Sequence, residues 1–254
     1  MITLTRTEIL QIRGLLRSSA EIAEDIARSD LKVLEKSDGS PVTNADIEIS
    51  KYILQHLQTI TPNIPIISEE EESPDDFGNN FWLVDPIDGT KSYINGVPLY
   101  TINLGLIVEG IPKYGFVINP STGHLYSTSE SCELEITCNG ESIEIQKNSG
   151  PLKALLSTYD GKKATELLER HNIKLYEVIP GALKFCLLAA GHADLYPRFG
   201  ETMEWDTAAG HALIKASGGE IFDLNGKVLQ YGKPDLLNEG FVAYSQRLIV
   251  EGNI

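Results

Sequence analysis

Cysteine is scarce in this sequence, and the few that are present exclude two ways of stabilising a small domain. The 254 residues include only Cys132, Cys138 and Cys186, and no two of them form a C-x-x-C pair. An odd number of scattered cysteines does not make a disulfide framework, and this spacing does not favour structural zinc. We therefore expect reduced thiols and a fold stabilised by its hydrophobic core.

Long apolar segments are also lacking. No apolar run approaches the ~20 residues that span a bilayer. The N-terminal stretch "MITLTRTEILQIRGLL" is interrupted by four polar residues, which argues against a secretion signal: Arg6, Glu8, Gln11 and Arg13. We expect a soluble cytoplasmic protein without an integral membrane segment, and peripheral attachment to the inner membrane stays open.

Positive charge is the third shortage. Only 21 lysines and arginines stand against 36 aspartates and glutamates, so the formal net charge is −15. Such a surface repels nucleic acid polymers and anionic membrane headgroups. A small phosphorylated ligand remains possible where a cation screens the carboxylates. The oligomeric state is left open between monomer and homodimer.

The hydrophobic pattern divides the chain near residue 150, into parts 1–150 and 151–254. Apolar residues at helical spacing predict helices over 7–27 and about 44–60, and "IPIIS" and "FWLVD" are typical of short strands. Between Leu99 and Ile145, alternating apolar residues and turn dipeptides predict an antiparallel meander. After Pro151, strands in "ALLST", "LYEVI" and "ADLYP" alternate with helices over 162–171, 183–190 and 207–217. This alternation indicates an α/β arrangement.

Two aspartates at the end of an apolar strand are the most informative feature. In "WLVDPIDGT", Asp85 and Asp88 flank Pro86-Ile87 directly after the buried run. Helix capping does not require an aspartate at the end of an apolar strand. Paired carboxylates in a poorly solvated position must be protonated, paired with cations or bound to metal. We therefore interpret this pair as functional.

Other carboxylates have simpler explanations beside a functional one. Asp46 fits the capping pattern Thr43-x-x-Asp46, and Asp206 in "EWDTAAGHALIKASGG" could merely complement a helix dipole. A run of four glutamates begins at Glu69 and is typical of a solvated surface. We expect Glu71 and Glu72 to be no more than that.

The ligand chemistry of these residues favours a hard cation. No lysine or arginine lies between Ile53 and Thr90 to neutralise the acidic side chains. Oxygen ligands without histidine or cysteine favour Mg²⁺ over zinc. Gly89 would let the backbone approach an anion, a helix that begins there would direct N–H groups at it, and Thr90 offers a hydroxyl. The pattern thus predicts divalent ions that bridge carboxylates to a substrate phosphate.

Three motifs together resemble the inositol monophosphatase superfamily of lithium-sensitive, magnesium-dependent phosphatases. They are "IISEE", "WLVDPIDGTKSYINGVPLYTINLGLI" and "EWDTAAGHALIKASGGEIFD", in the family's order and spacing over nearly the whole chain. The stretch "LKFCLLAAGHADLYPRFGETMEWDTAAGHA" is most similar to CysQ-type 3′(2′),5′-bisphosphate nucleotidases, which remove the 3′-phosphate from adenosine 3′,5′-bisphosphate, a by-product of sulfate assimilation. The resemblance implies a layered αβαβα sandwich.

The resemblance also implies roles for individual residues. Two or three Mg²⁺ ions would be held by Glu69, Asp85, the Ile87 carbonyl, Asp88 and Asp206. All of these except Asp85 would also contact the substrate, and Glu69 would belong to the catalytic residues as well. Asp46 and Thr90 would orient and deprotonate the attacking water. The backbone amides of Gly89 and Thr90 would hold the phosphate. Hydrolysis would be an in-line displacement without a phosphoenzyme.

The chain also departs from the pattern of such nucleotidases. Where they often have Gly-Ser-Ser-Leu-Lys, the sequence reads "PGALK", so a serine hydroxyl is missing, and "SYINGVPLYT" is shorter than in some of them. Lys184 and Arg198 are candidates for binding a second phosphate, although each could be an ordinary surface charge. Phe199, seven residues before Asp206, replaces an acidic residue usual in the inositol branch. An inositol or small sugar phosphatase is the alternative function.

Two further alternatives belong to other classes. A phosphatase of the haloacid dehalogenase type would attack with Asp85, but its aspartates are separated by one residue instead of two. A non-catalytic, metal-dependent binding protein would be expected to lack the water-activating pair, and Asp46 and Thr90 are both present.

Overall fold

The structure, a computed structural model, describes residues 2–37, 39–72, 76–145, 149–157 and 161–252. In these ranges the elements follow in the order α1 (Arg6–Ser29), β1 (Val33–Glu35), β2 (Pro41–Thr43), α2 (Asn44–Ile60), β3 (Ile66–Ser68), β4 (Asn80–Asp88), α3 (Thr90–Ile94), β5 (Thr101–Val108), β6 (Ile111–Asn119), β7 (His124–Thr128), β8 (Leu134–Cys138), β9 (Glu141–Ile143), β10 (Lys153–Leu156), α4 (Gly161–Arg170), β11 (Leu175–Val178), α5 (Leu183–Ala189), β12 (Leu195–Arg198), β13 (Thr202–Met203), α6 (Glu204–Ala216), β14 (Glu220–Asp223), β15 (Leu237–Asn238), β16 (Phe241–Tyr244) and α7 (Gln246–Val250).

The two long N-terminal helices begin where the sequence predicts. In α1, the Thr5 hydroxyl accepts from the Glu8 N–H, and Glu8 accepts from the Thr5 N–H, which forms a capping box. The same reciprocal arrangement of Thr43 and Asp46 begins α2. Each helix buries an apolar stripe against the first sheet, because its apolar residues recur on one face.

The first sheet has seven strands in the order β3-β4-β5-β6-β7-β8-β9. Only the β3–β4 pair in it is parallel, and the remaining pairs are antiparallel. This confirms the antiparallel meander predicted from the alternating pattern between Leu99 and Ile145.

The second sheet has five strands in the order β11-β10-β12-β16-β14. Strand β10 is parallel to β11 and β12, whereas β16 is antiparallel to β12 and β14. The three strands predicted after Pro151 are present as β10, β11 and β12. The three predicted helices are present as α4, α5 and α6.

Three hydrophobic clusters join the elements into five layers. The first lies between α1, α2 and the seven-stranded sheet, and the second surrounds α5 and α6 between the two sheets. The third joins α4 and α7 to the outer face of the five-stranded sheet. The layer order is therefore α-β-α-β-α, which confirms the predicted sandwich.

The structure differs from the sequence expectation in two places. Strand β4 does not end at Asp85 but continues to Asp88, because strand β5 pairs with it on both sides of Pro86. The turn-rich segment "KSDGSPVT" contains a short strand, β2, which pairs with β1. Residues 73–75 of the predicted acidic loop lie outside the described residues.

Two of the expectations concern the whole chain. In the described part of the chain, no helix is both long and apolar enough to cross a membrane. The division of the chain into two parts near residue 150 stays a prediction. All strands of the first sheet precede this residue, and all strands of the second sheet follow it.

Candidate active site

A bulge in β4 brings Asp85 and Asp88 to the same face of the first sheet. Asp85 pairs with Asn103 of β5, and Asp88 pairs with Thr101, so three steps along β4 match two steps along β5. In a regular strand, residues three apart would point to opposite faces. The extra residue removes this mismatch, and Pro86 suits the irregularity because it has no N–H for the ladder.

Helix α6 brings the third carboxylate to this face. Asp206 lies in its first turn, and its Oδ2 accepts from the Met203 N–H at 2.8 Å. The helix lies very close to the sheet, since a Cβ on Gly105 would be 2.7 Å from the Ala208 Cβ. One carboxylate oxygen each from Asp85, Asp88 and Asp206 therefore lies within 4.8 Å of the other two.

The electrostatics of these three carboxylates are unfavourable without a cation. Burial, followed by repulsion from neighbouring carboxylates, raises the pKa of Asp85 and of Asp206 well above the usual range for aspartate. Burial also raises the pKa of Asp88, although the Ala182 N–H and the Lys184 ammonium oppose the shift.

The donor set fits a hard divalent cation. All three side chains offer oxygen, and Asp85 Oδ1 is buried without a hydrogen-bond partner among the described residues. Oxygen ligands of this kind suit Mg²⁺ or a similar ion. The cluster could therefore hold a metal ion.

Glu69 lies near this cluster but is not one of the three converging residues. The Lys36 Nζ donates to Glu69 Oε1 and to Glu70 Oε1, each at 2.7 Å. These ion pairs raise the pKa of Lys36, although burial alone would lower it. Glu71 and Glu72 are exposed, as expected.

Lys36 is a residue of this region that the sequence does not reveal. No basic residue lies between Ile53 and Thr90, and the cationic partner of Glu69 and Glu70 comes from outside that range. Lys36 lies more than thirty residues earlier in a turn-rich segment, so only the folded chain brings it to them.

Asp46 and Thr90 are each hydrogen bonded to other groups. Asp46 is buried, its Oδ2 accepts from the backbone N–H and the hydroxyl of Thr43, and burial raises its pKa. The Thr90 hydroxyl donates to the Ile87 carbonyl at 3.1 Å. In the described residues no hydrogen bond joins Asp46 to Thr90. The capping explanation for Asp46 is thus confirmed, and the water-activating role of this pair stays a prediction.

Gly89 has the backbone conformation that its position requires. Its φ of 86° lies in the left-handed region, and a Cβ there would be 3.0 Å from the Leu99 carbonyl oxygen. Helix α3 begins at the next residue, Thr90, as the sequence predicts. Whether the amides of Gly89 and Thr90 hold a phosphate stays a prediction.

A cavity of about 240 Å³ lies beside Asp88 and Asp206. Arg198 lines it and lowers the pKa of Asp206 against the larger effect of burial. The buried Arg198 Nε has no hydrogen-bond partner among the described residues. A guanidinium in such a cavity can bind an anion.

Lys184 lines the same cavity, and it is not a surface charge. Its side chain is buried, and its Nζ donates to the carbonyls of Ile179 and Gly181 at 2.7 and 2.8 Å. The Nζ also lies 4.8 Å from the centre of the Tyr196 ring. The surface interpretation of Lys184 was therefore wrong, because the loop before α5 folds back over its ammonium group.

That loop explains why part of the "PGALK" segment differs from a serine-rich one. The Ala182 N–H donates to Asp88 Oδ2, so a backbone group contacts the carboxylate directly. At Gly181, where φ is 64°, a Cβ would be only 2.5 Å from the same oxygen. Glycine is thus favoured at residue 181 in this loop conformation. Nothing in the structure explains Pro180.

A larger cavity, of about 540 Å³, lies on the opposite face of the five-stranded sheet. It is lined by α4 and by Phe199, Phe222 and Tyr244. None of the three converging aspartates borders it. Phe199 therefore points away from the cavity beside Asp206, although it precedes that residue by only seven positions.

Comparisons with known proteins agree with this architecture. The profile of the inositol monophosphatase family matches residues 6–253. The 3′(2′),5′-bisphosphate nucleotidases CysQ of Salmonella typhimurium and of Escherichia coli strain K12 are each 38% identical to this chain over 216 residues. That match covers 83% of this chain and 88% of each relative.

A solved structure is similar over almost its whole length. The CysQ structure from Bacteroides thetaiotaomicron has a TM-score of 0.82 and 27% identity, and the match covers 95% of this chain and 98% of that one. A family match from α1 to the end of the described chain, together with these relatives, settles the membership. The chain belongs to the inositol monophosphatase family and is a phosphatase.

Proposed function

We propose that this protein is a magnesium-dependent 3′(2′),5′-bisphosphate nucleotidase. It would convert adenosine 3′,5′-bisphosphate to AMP and phosphate, in the cytoplasm and in connection with sulfate assimilation. The proposal is supported by relatives of that name at 35–38% identity over more than four fifths of the chain.

The observation that carries the proposal is the convergence of Asp85, Asp88 and Asp206 next to a cavity that contains cationic side chains. The carboxylates are suited to divalent cations, and Arg198 is suited to an anionic group of the substrate. A substrate with two phosphates would bind both at the cations that the carboxylates hold and at Arg198. A monophosphate would bind at only one of these two positions.

The residues around the carboxylates would divide the remaining tasks. When bound, Mg²⁺ would supply positive charge and make water more acidic. Asp46 and Thr90 would accept and direct the proton of the attacking water, and the amides of Gly89 and Thr90 would hold the phosphate. Glu69 would join the metal ligands together with the Ile87 carbonyl. This last role is compatible with the Lys36 contact, because Lys36 binds Oε1 and a carboxylate has a second oxygen for a cation.

Lys184 would act on the substrate indirectly. Its ammonium group fixes the carbonyls of Ile179 and Gly181, and the same loop donates the Ala182 N–H to Asp88. We therefore assign Lys184 to shaping the cavity and Arg198 to the second phosphate.

The test is phosphate release from adenosine 3′,5′-bisphosphate, inositol 1-phosphate and fructose 1,6-bisphosphate, each measured with Mg²⁺ and with excess chelator. We expect release that depends on Mg²⁺, is inhibited by millimolar Li⁺ and is most efficient with the nucleotide. A preference for inositol 1-phosphate or fructose 1,6-bisphosphate would replace the nucleotidase assignment with the sugar phosphatase alternative. Equal release in the chelator would contradict metal dependence.

Arg198→Met tests whether Arg198 binds the second phosphate of the substrate. It should raise KM for the bisphosphate at least tenfold, because a charge-assisted contact to the second phosphate is lost. It should change KM for a nucleoside 3′-monophosphate much less. Equal effects on both substrates would remove Arg198 from the second-phosphate role.

A further inference from the structure

Two buried polar side chains of β5 have no hydrogen-bond partner among the described residues. Thr101 is fully buried and Asn103 is 1% exposed. The unpartnered atoms are the Thr101 hydroxyl oxygen and both Nδ2 and Oδ1 of Asn103. Every other residue of this strand is apolar or glycine, so these two stand out in an otherwise hydrophobic element.

Both side chains lie on the face of the sheet that carries the acidic cluster. Asn103 is paired directly with Asp85, and side chains directly opposite in an antiparallel pair share a face. Gly105, two residues further along β5, contacts Ala208 of α6 on that same face. Asn103 therefore lies between the helix that carries Asp206 and the strand that carries Asp85.

An amide in this position has no benefit for the fold alone. A buried amide without partners destabilises the folded state, and an apolar side chain of the same shape would avoid that penalty. Asp85, on the neighbouring strand, lacks the opposite kind of hydrogen-bond partner. Among the described residues, its Oδ1 is a buried acceptor without a donor, and Asn103 Nδ2 is a buried donor without an acceptor.

We propose that Asn103 is a positioning residue for Asp85. With a cation bound, its Nδ2–H would donate to the carboxylate oxygen that Asp85 does not give to the cation, a hydrogen bond that is not among those of the described residues, and this would hold the ligand in the orientation that the site needs. Outer hydrogen bonds to metal ligands commonly have this effect. The inference rests on the metal dependence proposed above, and it deepens that function by naming a residue outside the acidic set.

Direct metal binding tests this role without relying on turnover. Mg²⁺ is titrated calorimetrically into the metal-free full chain without substrate, for the wild type, Asn103→Leu and Asn103→Ala. We expect both variants to bind Mg²⁺ about tenfold more weakly, the lower end of the range for such contacts. The melting temperature of Asn103→Leu in chelator should equal or exceed that of the wild type, because an unpartnered amide is replaced by an apolar group.

Thr101→Val is the matched control. It also replaces an unpartnered polar group on the same face of β5, but Thr101 is paired with Asp88, whose Oδ2 already accepts from the Ala182 N–H. We expect its affinity for Mg²⁺ to stay within twofold of the wild type. An equal loss in Thr101→Val would assign the effect to the general polarity of this face and overturn the role of Asn103.

The remaining outcomes separate this inference from the proposed function. If the wild type binds Mg²⁺ and the Asn103 variants bind it equally well, the positioning role is wrong and the metal-dependent function stands. If the wild type does not bind Mg²⁺ at all, the metal-dependent function itself fails, and the positioning role fails with it. If Asn103→Leu fails to fold, the titration of Asn103→Ala decides.

Discussion

At the scale of single residues, the site is defined by carboxylates in surroundings that oppose their charge. Asp85 is buried, and the pKa values of all three converging aspartates are raised, first by burial. The hydrogen-bond acceptor Oδ1 of Asp85 also has no donor in the part of the chain that the structure describes. These features oppose the charged form of the carboxylates, and a divalent cation would offset them.

Asp88→Asn tests whether catalysis needs the negative charge of Asp88 or only the size of its side chain. The amide keeps the size of the side chain, but a neutral group cannot neutralise a cation. We expect kcat to fall on the order of a thousandfold, since metal catalysis supplies several kcal/mol. The melting temperature in chelator should stay the same or rise. Asp25→Asn, at an exposed aspartate of α1, is the control and should change neither kcat nor the melting temperature. Near-normal turnover of Asp88→Asn would remove Asp88 from the site.

Thr90→Ala tests the role of the hydroxyl. If Thr90 acts on the attacking water, kcat should fall by 10²–10⁴-fold, as is typical of lost proton transfer, while KM changes little. Thr59→Ala removes a hydroxyl that also donates to a backbone carbonyl, that of Gln55, on an exposed surface of α2. That control should leave both constants unchanged. An effect of Thr90→Ala on KM alone would indicate substrate binding in place of water activation.

At the scale of elements, the geometry of the site depends on how closely α6 lies on the first sheet. Gly105 and Gly115 of neighbouring strands face Ala208, Ala209 and Ala212 of the helix, where any Cβ would clash. Small residues on both sides thus place the first turn of α6, and with it Asp206, near the bulge of β4. The bulge and this close contact are two separate requirements for the same cluster.

Gly115→Ala should therefore damage both the fold and the site. A Cβ there would overlap the carbonyl oxygen of Ala209, and the overpacking should cost about 1–3 kcal/mol of unfolding free energy. Metal affinity should also fall as α6 moves away from the sheet. Gly14→Ala is the control, because its Cβ meets no atom within 4 Å and alanine favours a helix, so stability should rise by up to about 1 kcal/mol. Unchanged stability of Gly115→Ala in chemical denaturation would refute the tight packing.

The later part of α6 is linked to β14 by a pair in which the histidine is buried and the glutamate is partly exposed. His211 Nε2 lies 2.6 Å from Glu220 Oε1, and Nδ1 lies 3.1 Å from the Tyr231 hydroxyl. Burial lowers the pKa of His211. Burial alone would raise the pKa of Glu220, but hydrogen bonds, first from His211, lower it to about 2.

The sign of the pH dependence follows from these two shifts. A histidine with a lowered pKa binds fewer protons in the folded than in the unfolded state, so its stabilising effect is lost as the pH falls below about 6.5. The contribution of Glu220 is lost further down, between 4.5 and about 2. We expect the advantage in unfolding free energy of the wild type over His211→Gln, measured in chelator, to shrink between pH 8 and pH 5.5, whereas protonation of the converging aspartates acts equally on both proteins. His56→Gln changes an exposed histidine, and its unfolding free energy should depend on pH as that of the wild type does. If all three proteins show the same pH dependence, His211 is not its source.

At the scale of the whole molecule, the five layers bring together residues that are distant along the chain. Asp85 and Asp88 come from the first sheet, Asp206 from a helix between the sheets, and Arg198 from the second sheet. Neither sheet alone contains both the cluster and the lining of the cavity. The function therefore depends on the packing of one sheet against the other through α5 and α6.

Part of this arrangement is predictable from the sequence, for physical reasons. Asp85 and Asp88 stand out because an apolar strand rarely ends in two carboxylates, and the long helices follow from their periodicity and caps. Lys36, Asn103 and the burial of Lys184 are not predictable in this way. A lysine in a turn, an asparagine in a strand and a lysine near a helix start have many ordinary explanations, and only tertiary packing selects among them.

The most direct measurement is anomalous diffraction from crystals of the protein soaked in Mn²⁺, a stand-in for Mg²⁺ that can be located by its scattering. We predict ordered ions within coordination distance of the side chains of Asp85, Asp88 and Asp206, and those ions should be absent in Asp88→Asn. Full occupancy of Mn²⁺ at other positions, with these three carboxylates unliganded in an active enzyme, would contradict it.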